Sequence, residues 1–463
     1  MSAHTANLKT SVLEDLRASL GNKVTTDDAV RSARGHDRSH LPWEAPLAVV
    51  QCASTEDVSA TLAICSHHGV SVVPIAAGTG LEGGANSTAG SICLDISGMD
   101  KILRIEADDL DATVQAGVMK SSLNEALAQH GLTFPVGPGV DASVGGMAST
   151  GASGTTAVRY GTMKENVLGL TVVLADGTVI KTGGRSRKSA AGYDLTHLFV
   201  GAEGTLGILT EVTLRVYGIP QASSVAICSF ATLEECIAVV QATLESAVPI
   251  SRVELLDDVT VDAVNRYSSL GLPVMPTLIF EFEGSPANIA EQSETVRGLV
   301  SQHGGIGWDY ASDPEQMARI WRARHDALPA YTALIPGSST WSTDVCVPVS
   351  RLAECITLTK ADTDNEGVLA PIVGHVGDGN FHLAFVLPPG DDDVLAKAAA
   401  INNRLVERAL SMGGTSTGEH GIGLGKTASL VKEHATAIPV MMAIKNALDP
   451  QGILNPGKVL AAS

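Results

Sequence analysis

The 463-residue chain is 44 % hydrophobic and 17 % charged, with 47 glycines: too apolar for disorder, and long enough for two or three domains. Its 31 Lys+Arg against 50 Asp+Glu give a net charge of −19, which opposes binding to nucleic acid or to an anionic membrane surface. No run of about 18 apolar residues occurs, which argues against a spanning helix, and seven scattered cysteines without a CxxC argue against a disulfide framework or an iron–sulfur cluster held by this chain alone.

Residues 1–40 are polar and mostly helical in pattern before Pro42 and Pro46 break the chain. With Glu14, Asp15, Asp27 and Asp28, this stretch is expected to be neither an acid-poor transit peptide nor a signal peptide. The expectation is a soluble protein of a reducing compartment, the cytoplasm. Residues 49–51 read as a strand. Ser54-x-x-Asp57 is a capping signature, and Val58, Leu62 and Cys65 share one helical face before Gly69 ends the helix. Residues 70–75 form a β-branched strand, and Ser122-x-x-Glu125 opens a short helix stopping at Gly131. Asp176-Gly177, between strands 170–174 and 178–181, predicts a hairpin. After Pro220 the elements lengthen, with strands at 225–230, 252–256 and 277–283 and helices at 233–245, 286–302, 314–334, 351–366 and 392–412. This predicts an α+β domain with helices packed on a sheet. A last apolar stretch, 453–460, carries Asn455-Pro456-Gly457-Lys458.

Gly78, Gly80 and Gly83 satisfy GxGxxG after a strand, but a dinucleotide-binding Rossmann unit requires a helix next. Here Ala85 to Gly90 lead instead into a strand-like run, so that reading fails. Glycines can still wrap a pyrophosphate, because bare backbone N–H groups approach phosphate oxygens closely. Two further loops follow: 137–154, with Gly137, Gly139, Gly145, Gly146, Gly151 and Gly154 among Ser143, Ser149, Ser153 and Thr155, and 201–207. Each alone reads equally well as a tight turn. Three in one domain favour a large extended ligand.

Segments 74–84, 144–160 and 201–208 resemble the FAD-binding domain of the vanillyl-alcohol-oxidase and p-cresol methylhydroxylase (PCMH) type of flavoprotein. Within that group, residues 42–460 resemble the cytochrome-linked, FAD-dependent D-lactate dehydrogenases, with glycolate oxidase catalytic subunits and D-2-hydroxyglutarate dehydrogenases as near relations. The resemblance implies an α+β architecture: an N-terminal helical extension (1–41), a PCMH-type FAD-binding domain (42–219), a substrate and metal domain of antiparallel sheet covered by helices (220–440), and a C-terminal segment returning to the flavin (441–463). It implies that Pro74, Ala77, Gly78, Thr79, Gly80, Leu81, Glu82, Gly83 and Gly84 cradle the pyrophosphate. Pro138, Asp141, Ser143, Val144, Gly145, Gly151, Ser153, Gly154 and Tyr160 would line the rest of the flavin, with Glu203, Gly204, Gly207, Ile208 and Asn455. Residues 76–85 hold no His or Cys, so the FAD is expected to be non-covalent.

His375 and His382 flank Gly377-Asp378-Gly379, a strand–turn–strand pattern. Over a turn, two imidazoles can converge on one point, and Glu419-His420 lies in a second glycine-flanked stretch. Two His and a carboxylate suit zinc, manganese or iron with open positions; the alternative is a hairpin whose histidines only hydrogen-bond the turn. In the resembled enzymes such residues hold a divalent ion, which implies His375, His382 and Glu419 as ligands. Oxidation of a 2-hydroxy acid sends a hydride from Cα to flavin N5 and needs the hydroxyl proton removed. A bound cation lowers that hydroxyl pKa, and a neighbouring imidazole takes the proton. His420 is assigned as the base, with exchange of roles between His382 and His420 left open.

A substrate carboxylate calls for a fixed cation. Arg322 and Arg324 lie two apart on one predicted helix, so a single one is expected to face the site, and the resemblance selects Arg324. Relatives acting on five-carbon hydroxy-diacids carry a Lys near 342 and an Asn near 384, where this chain has Ser342 and Ala384. That favours a monocarboxylate such as D-lactate over D-2-hydroxyglutarate. Trp321, Trp341 and Phe381 are candidate pocket walls. The resemblance implies an electron acceptor (cytochrome c, quinone or electron-transfer flavoprotein) at a cytoplasmic or peripheral membrane location. It leaves open a glycolate-oxidase-like subunit with an iron–sulfur partner, and a homodimer.

Overall fold

The computed structural model describes residues 3–461, with side chains from Thr10 onward. The chain divides into two compact units, one of residues 1–153, 161–219 and 419–463, the other of 154–160 and 220–418. One division therefore falls at 219/220. The second unit ends at 418, and residues 419–463 return to the first. Residues 422–425 are tied into the first unit: Leu424 and Gly425 donate their N–H groups to the Glu82 carbonyl, and Ile422 and Gly423 donate theirs to the Glu203 carboxylate.

The first unit carries two main sheets. Val24–Thr25, Ala48–Gln51, Ile92–Asp95 and Val72–Ile75 form a four-stranded sheet in that order, the last three strands parallel. Ile102–Glu106, Asp111–Gln115, Ile208–Arg215, Val167–Val173 and Val179–Gly183 form a five-stranded antiparallel one. The helix Thr55–His68 starts where the Ser54 hydroxyl accepts the Asp57 N–H and stops at Gly69 in the left-handed region. It buries Val58, Leu62 and Cys65, the face expected from their spacing, against Val50, Val72 and Leu94. Each such side chain contributes roughly 1.5–3 kcal/mol when fully buried. The Asp176-Gly177 hairpin forms between Val167–Val173 and Val179–Gly183. No helix follows the first glycine loop before Ile92–Asp95.

One expected loop is partly a helix. Within 137–154, Val144–Thr150 is helical, capped by the Ser143 hydroxyl on the Gly146 N–H and closed by left-handed Gly151. Gly145 permits this, because a Cβ there would stand 2.4 Å from that of Ala116. Small residues let the turn press onto the neighbouring strand.

The second unit is built on an eight-stranded antiparallel sheet. Its order is Ile306–Ala311, Ala222–Ser229, Thr277–Gly284, Arg252–Leu256, Ile372–His375, Asn380–Leu387 and Ser339–Ser342, with Val345–Cys346 also on Asn380–Leu387. The helices Leu233–Glu245, Pro286–Gln302, Val349–Glu366 and Asp392–Ser411 cover one face around Phe230, Phe280, Phe282, Phe381 and Phe385. The other face meets Asp258–Ser268, Pro314–His325 and Ala327–Leu334 around Leu256, Ile279, Trp321, Val373 and Ala384. The last two replace the single helix expected over 314–334. Pro329 explains the break: its ring would collide with the carbonyl of His325 in a continuous helix. Among the described residues, no helix is long and apolar enough to cross a membrane.

Candidate active site

In the second unit the site follows from strand alternation. Val253 and Leu255 point into the helix-covered core, so Arg252, Glu254 and Leu256 take the opposite face. Cross-strand pairing then sets a row on that face: Glu254 opposite His375, Val373 opposite His382, and Ala384 opposite Ser342. The strands bearing the two histidines are joined by a turn that needs its glycines. Gly379 has φ 80°, and a Cβ on it would stand 1.9 Å from the Val347 carbonyl oxygen.

The His375 and His382 rings are 5.3 Å apart and nearly perpendicular, and both are buried. His382 Nδ1 lies 2.9 Å from the Thr343 carbonyl, and His375 Nδ1 2.6 Å from Glu254 Oε1. A carbonyl or carboxylate oxygen only accepts, so each Nδ1 carries hydrogen, and in a neutral imidazole held this way the lone pair is on Nε2. Ligand nitrogens of the two lie within 4.8 Å of each other. This donor set fits a divalent cation, and both imidazoles have the outer partner that orients a ligating histidine.

Glu254 has no solvent exposure. Burial pushes its carboxyl up, but His375 and Arg324 outweigh that and hold it below the usual carboxylate range. Arg324 Nε donates to Glu254 Oε2 at 2.8 Å. Of the two arginines of the helix, the Arg324 side chain is 22 % exposed and Arg322, near Asp326, 54 %. Asp344, 1 % exposed, accepts from Asn380 Nδ2 at 2.8 Å and from the Thr417 hydroxyl at 2.9 Å. Of the three aromatic candidates, Trp321 lies on the histidine face. Phe381 and Trp341 pack in the helix-covered core, Trp341 against Phe385, because they alternate with His382 and Ser342 along their strands. They do not wall this pocket. Gly154 and Tyr160 belong to this unit too, and the Tyr160 hydroxyl donates to Glu283 at 2.8 Å.

In the first unit, the loop after Val72–Ile75 has the properties of an anion cradle. Among the described residues, the N–H groups of Gly78, Thr79, Gly80 and Leu81 find no protein acceptor. Pro74 presses on Gly204, where a Cβ would stand 2.6 Å from the proline ring. The tail closes on the same loops. Asn455 Nδ2 donates to the carbonyls of Gly84 at 2.9 Å and Glu203 at 2.7 Å, and its buried Oδ1 has no partner among the described residues. Open amides and an orphaned buried oxygen fit a bound flavin dinucleotide. Glu203, pushed up to about 7 by burial against its two amide donors, braces 422–423. Glu82 lies 3.2 Å from Lys426 and 3.9 Å from His420, and the Ser153 hydroxyl donates to Glu419 at 3.1 Å.

Other expected flavin residues have local tasks. Asp141 accepts from Ser121 N–H and hydroxyl at the start of Lys120–Ala128, Val144 and Gly145 lie in a buried helix, and Gly207 packs on Val172. Ala77, Gly83 and Pro138 lie in loops, and Ile208 opens a strand. The sequence reading missed Glu254, Thr343, Asp344 and Lys458. For Glu254 a signal existed, a lone carboxylate inside an apolar strand.

A model of the C-terminal domain of FAD-linked oxidases matches residues 219–459, and a model of FAD-binding domains matches 46–183. The chain belongs to the FAD-linked oxidases. This FAD-linked oxidase is 48 % identical over 464 residues to "Probable D-lactate dehydrogenase, mitochondrial" of Danio rerio, spanning 99 % of this chain and 93 % of that one. It is 43 % identical over 452 residues to the Arabidopsis thaliana protein named D-lactate dehydrogenase (cytochrome), mitochondrial, spanning 97 % and 80 %. The structure of p-cresol methylhydroxylase with substrate bound aligns with a TM-score of 0.78 at 17 % identity, over 100 % of this chain and 98 % of that one, and shows the shared PCMH-type fold alone.

Proposed function

We propose that this enzyme oxidises a D-2-hydroxy acid, D-lactate foremost, to the 2-keto acid. The observation that carries the reading is the pair His375 and His382, each fixed through Nδ1, on one sheet face with Glu254-held Arg324. The names of the two relatives point to the same substrate. When bound, FAD supplies a hydride acceptor, and a divalent ion (zinc or manganese, or iron) would make the substrate hydroxyl more acidic.

The chain's own residues then divide the work. Arg324 pairs with the substrate carboxylate, and His420 takes the hydroxyl proton. His375, His382 and Glu419 are the residues assigned to the divalent ion. Gly78–Gly84, Glu203, Gly204 and Asn455 hold the flavin without a covalent link. The word cytochrome in the Arabidopsis name supports a cytochrome as electron acceptor. Seven thiols outside any disulfide suit a reducing compartment, and both relatives are named as mitochondrial.

The test is anaerobic. D-lactate should bleach the yellow flavin band and L-lactate should leave it. A spectrum unmoved by every D-2-hydroxy acid tried ends this reading.

A further inference from the structure

We infer that Glu254 is the positioning residue shared by the two working groups of the second unit, one carboxylate that sets both the nitrogen His375 presents and the direction of the Arg324 guanidinium. The inference rests on the proposed roles of those two residues. Glu254 stands directly across the strands from His375, with Oε1 at 2.6 Å from Nδ1, and turns Oε2 to Arg324 Nε at 2.8 Å. Each oxygen thus has its own donor, and no solvent reaches the carboxylate.

Chemistry makes this more than a salt bridge. Neutral imidazole has one N–H, and a carboxylate at Nδ1 forces it there, leaving the Nε2 lone pair outward and more basic. A bond through Nε fixes the guanidinium plane, and so the heading of its two terminal amines. A glutamine could not serve both partners, having one acceptor oxygen and one donor NH2. With NH2 toward Arg324 it would set donor against donor. With NH2 toward His375 it would require Nδ1 to accept, moving the hydrogen to Nε2 and removing the lone pair a metal needs. Sequence reading does not find this, because nothing local links positions 254, 324 and 375.

Glu254→Gln should be compared with wild type in three measurements. The ¹⁵N spectrum of histidine-labelled protein without added metal should show one histidine changing from the Nδ1–H to the Nε2–H tautomer, identified as His375 by its loss in His375→Ala. The dissociation constant for Mn²⁺, read by titration calorimetry, should rise about 10–100-fold. KM for D-lactate should rise, while flavin absorbance per chain and the circular dichroism spectrum stay unchanged. Glu254→Asp, which keeps both acceptors, should recover part of each loss and serves if the glutamine variant does not fold. An unchanged tautomer with an unchanged KM overturns the inference. Wild type that takes up no Mn²⁺ overturns the metal reading, while the tautomer and KM still decide the role of Glu254.

Discussion

Ser342 and Ala384 stand opposite each other on adjacent strands, with Ala384 two residues beyond His382 on the same face. Neither brings charge to the pocket. The resembled enzymes of five-carbon hydroxy-diacids carry lysine and asparagine near these positions. The double variant Ser342→Lys, Ala384→Asn should raise kcat/KM for such a diacid relative to D-lactate by about 10–100-fold, the worth of roughly 1.5–3 kcal/mol from a hydrogen bond to a charged group. Steady-state kinetics on both substrates checks it. An unchanged ratio would mean that chain length is read elsewhere.

His420 lies near Glu82, which also meets Lys426. If His420 is the base, His420→Ala should lower kcat by about 10²–10⁴ and keep the flavin bound. Flavin loss would instead make His420 part of the flavin site. A nearly normal kcat in His420→Ala, with a large loss in His382→Ala, would move the base to His382.

Much of the fold was legible because its signals are local. The capping serine at 54, the Asp176-Gly177 turn and the β-branched runs all act within a few residues. Val144–Thr150 was hidden, because its glycines read as loop and only Ala116, far away in sequence, makes Gly145 necessary. Likewise His375 and His382 were visible through the turn between them. Asp344 was not, and Glu254 showed only as a lone carboxylate in an apolar strand, since the partners of both lie more than 30 residues away. Trp341 and Phe381 could not be assigned to a face for a related reason: hydrophobicity does not say which sheet face a residue takes, and pairing register does.

Lys458 is 2 % exposed and donates to the Asn86 carbonyl at 2.7 Å, behind the glycine cradle. Burial lowers its pKa to about 8, with Asp37 opposing. Between pH 8 and about 10.4 the folded ammonium has given up its proton while the unfolded chain keeps it, so this residue's contribution to stability rises with pH in that window. Lys458→Met lacks the effect. Its stability relative to wild type should therefore be highest at pH 7 and fall by as much as about 3 kcal/mol toward pH 10. Urea midpoints of both proteins at pH 7 and 9.5 measure the difference. A difference that stays constant would show that the ammonium is not buried as the structure has it.

The thiols act in the opposite direction. Burial pushes Cys52, Cys65 and Cys346 up to about 12 and Cys355 to about 11, with Cys93, Cys228 and Cys236 higher still. An unfolded thiol ionises near 8.5, so above that pH the unfolded chain binds fewer protons than the folded one and stability falls as pH rises. Cys65, fully buried on the inner face of Thr55–His68, is the cleanest probe. Cys65→Ala should cost stability at pH 7.5 through its lost packing, and that cost should shrink by pH 10, where wild type loses the thiol's protection. Native protein at pH 8 should react slowly with a disulfide reagent, Cys346 first because it alone is partly exposed, and all seven should react at once in urea. Rapid native reaction of Cys65 would contradict the packing of that helix against the parallel strands.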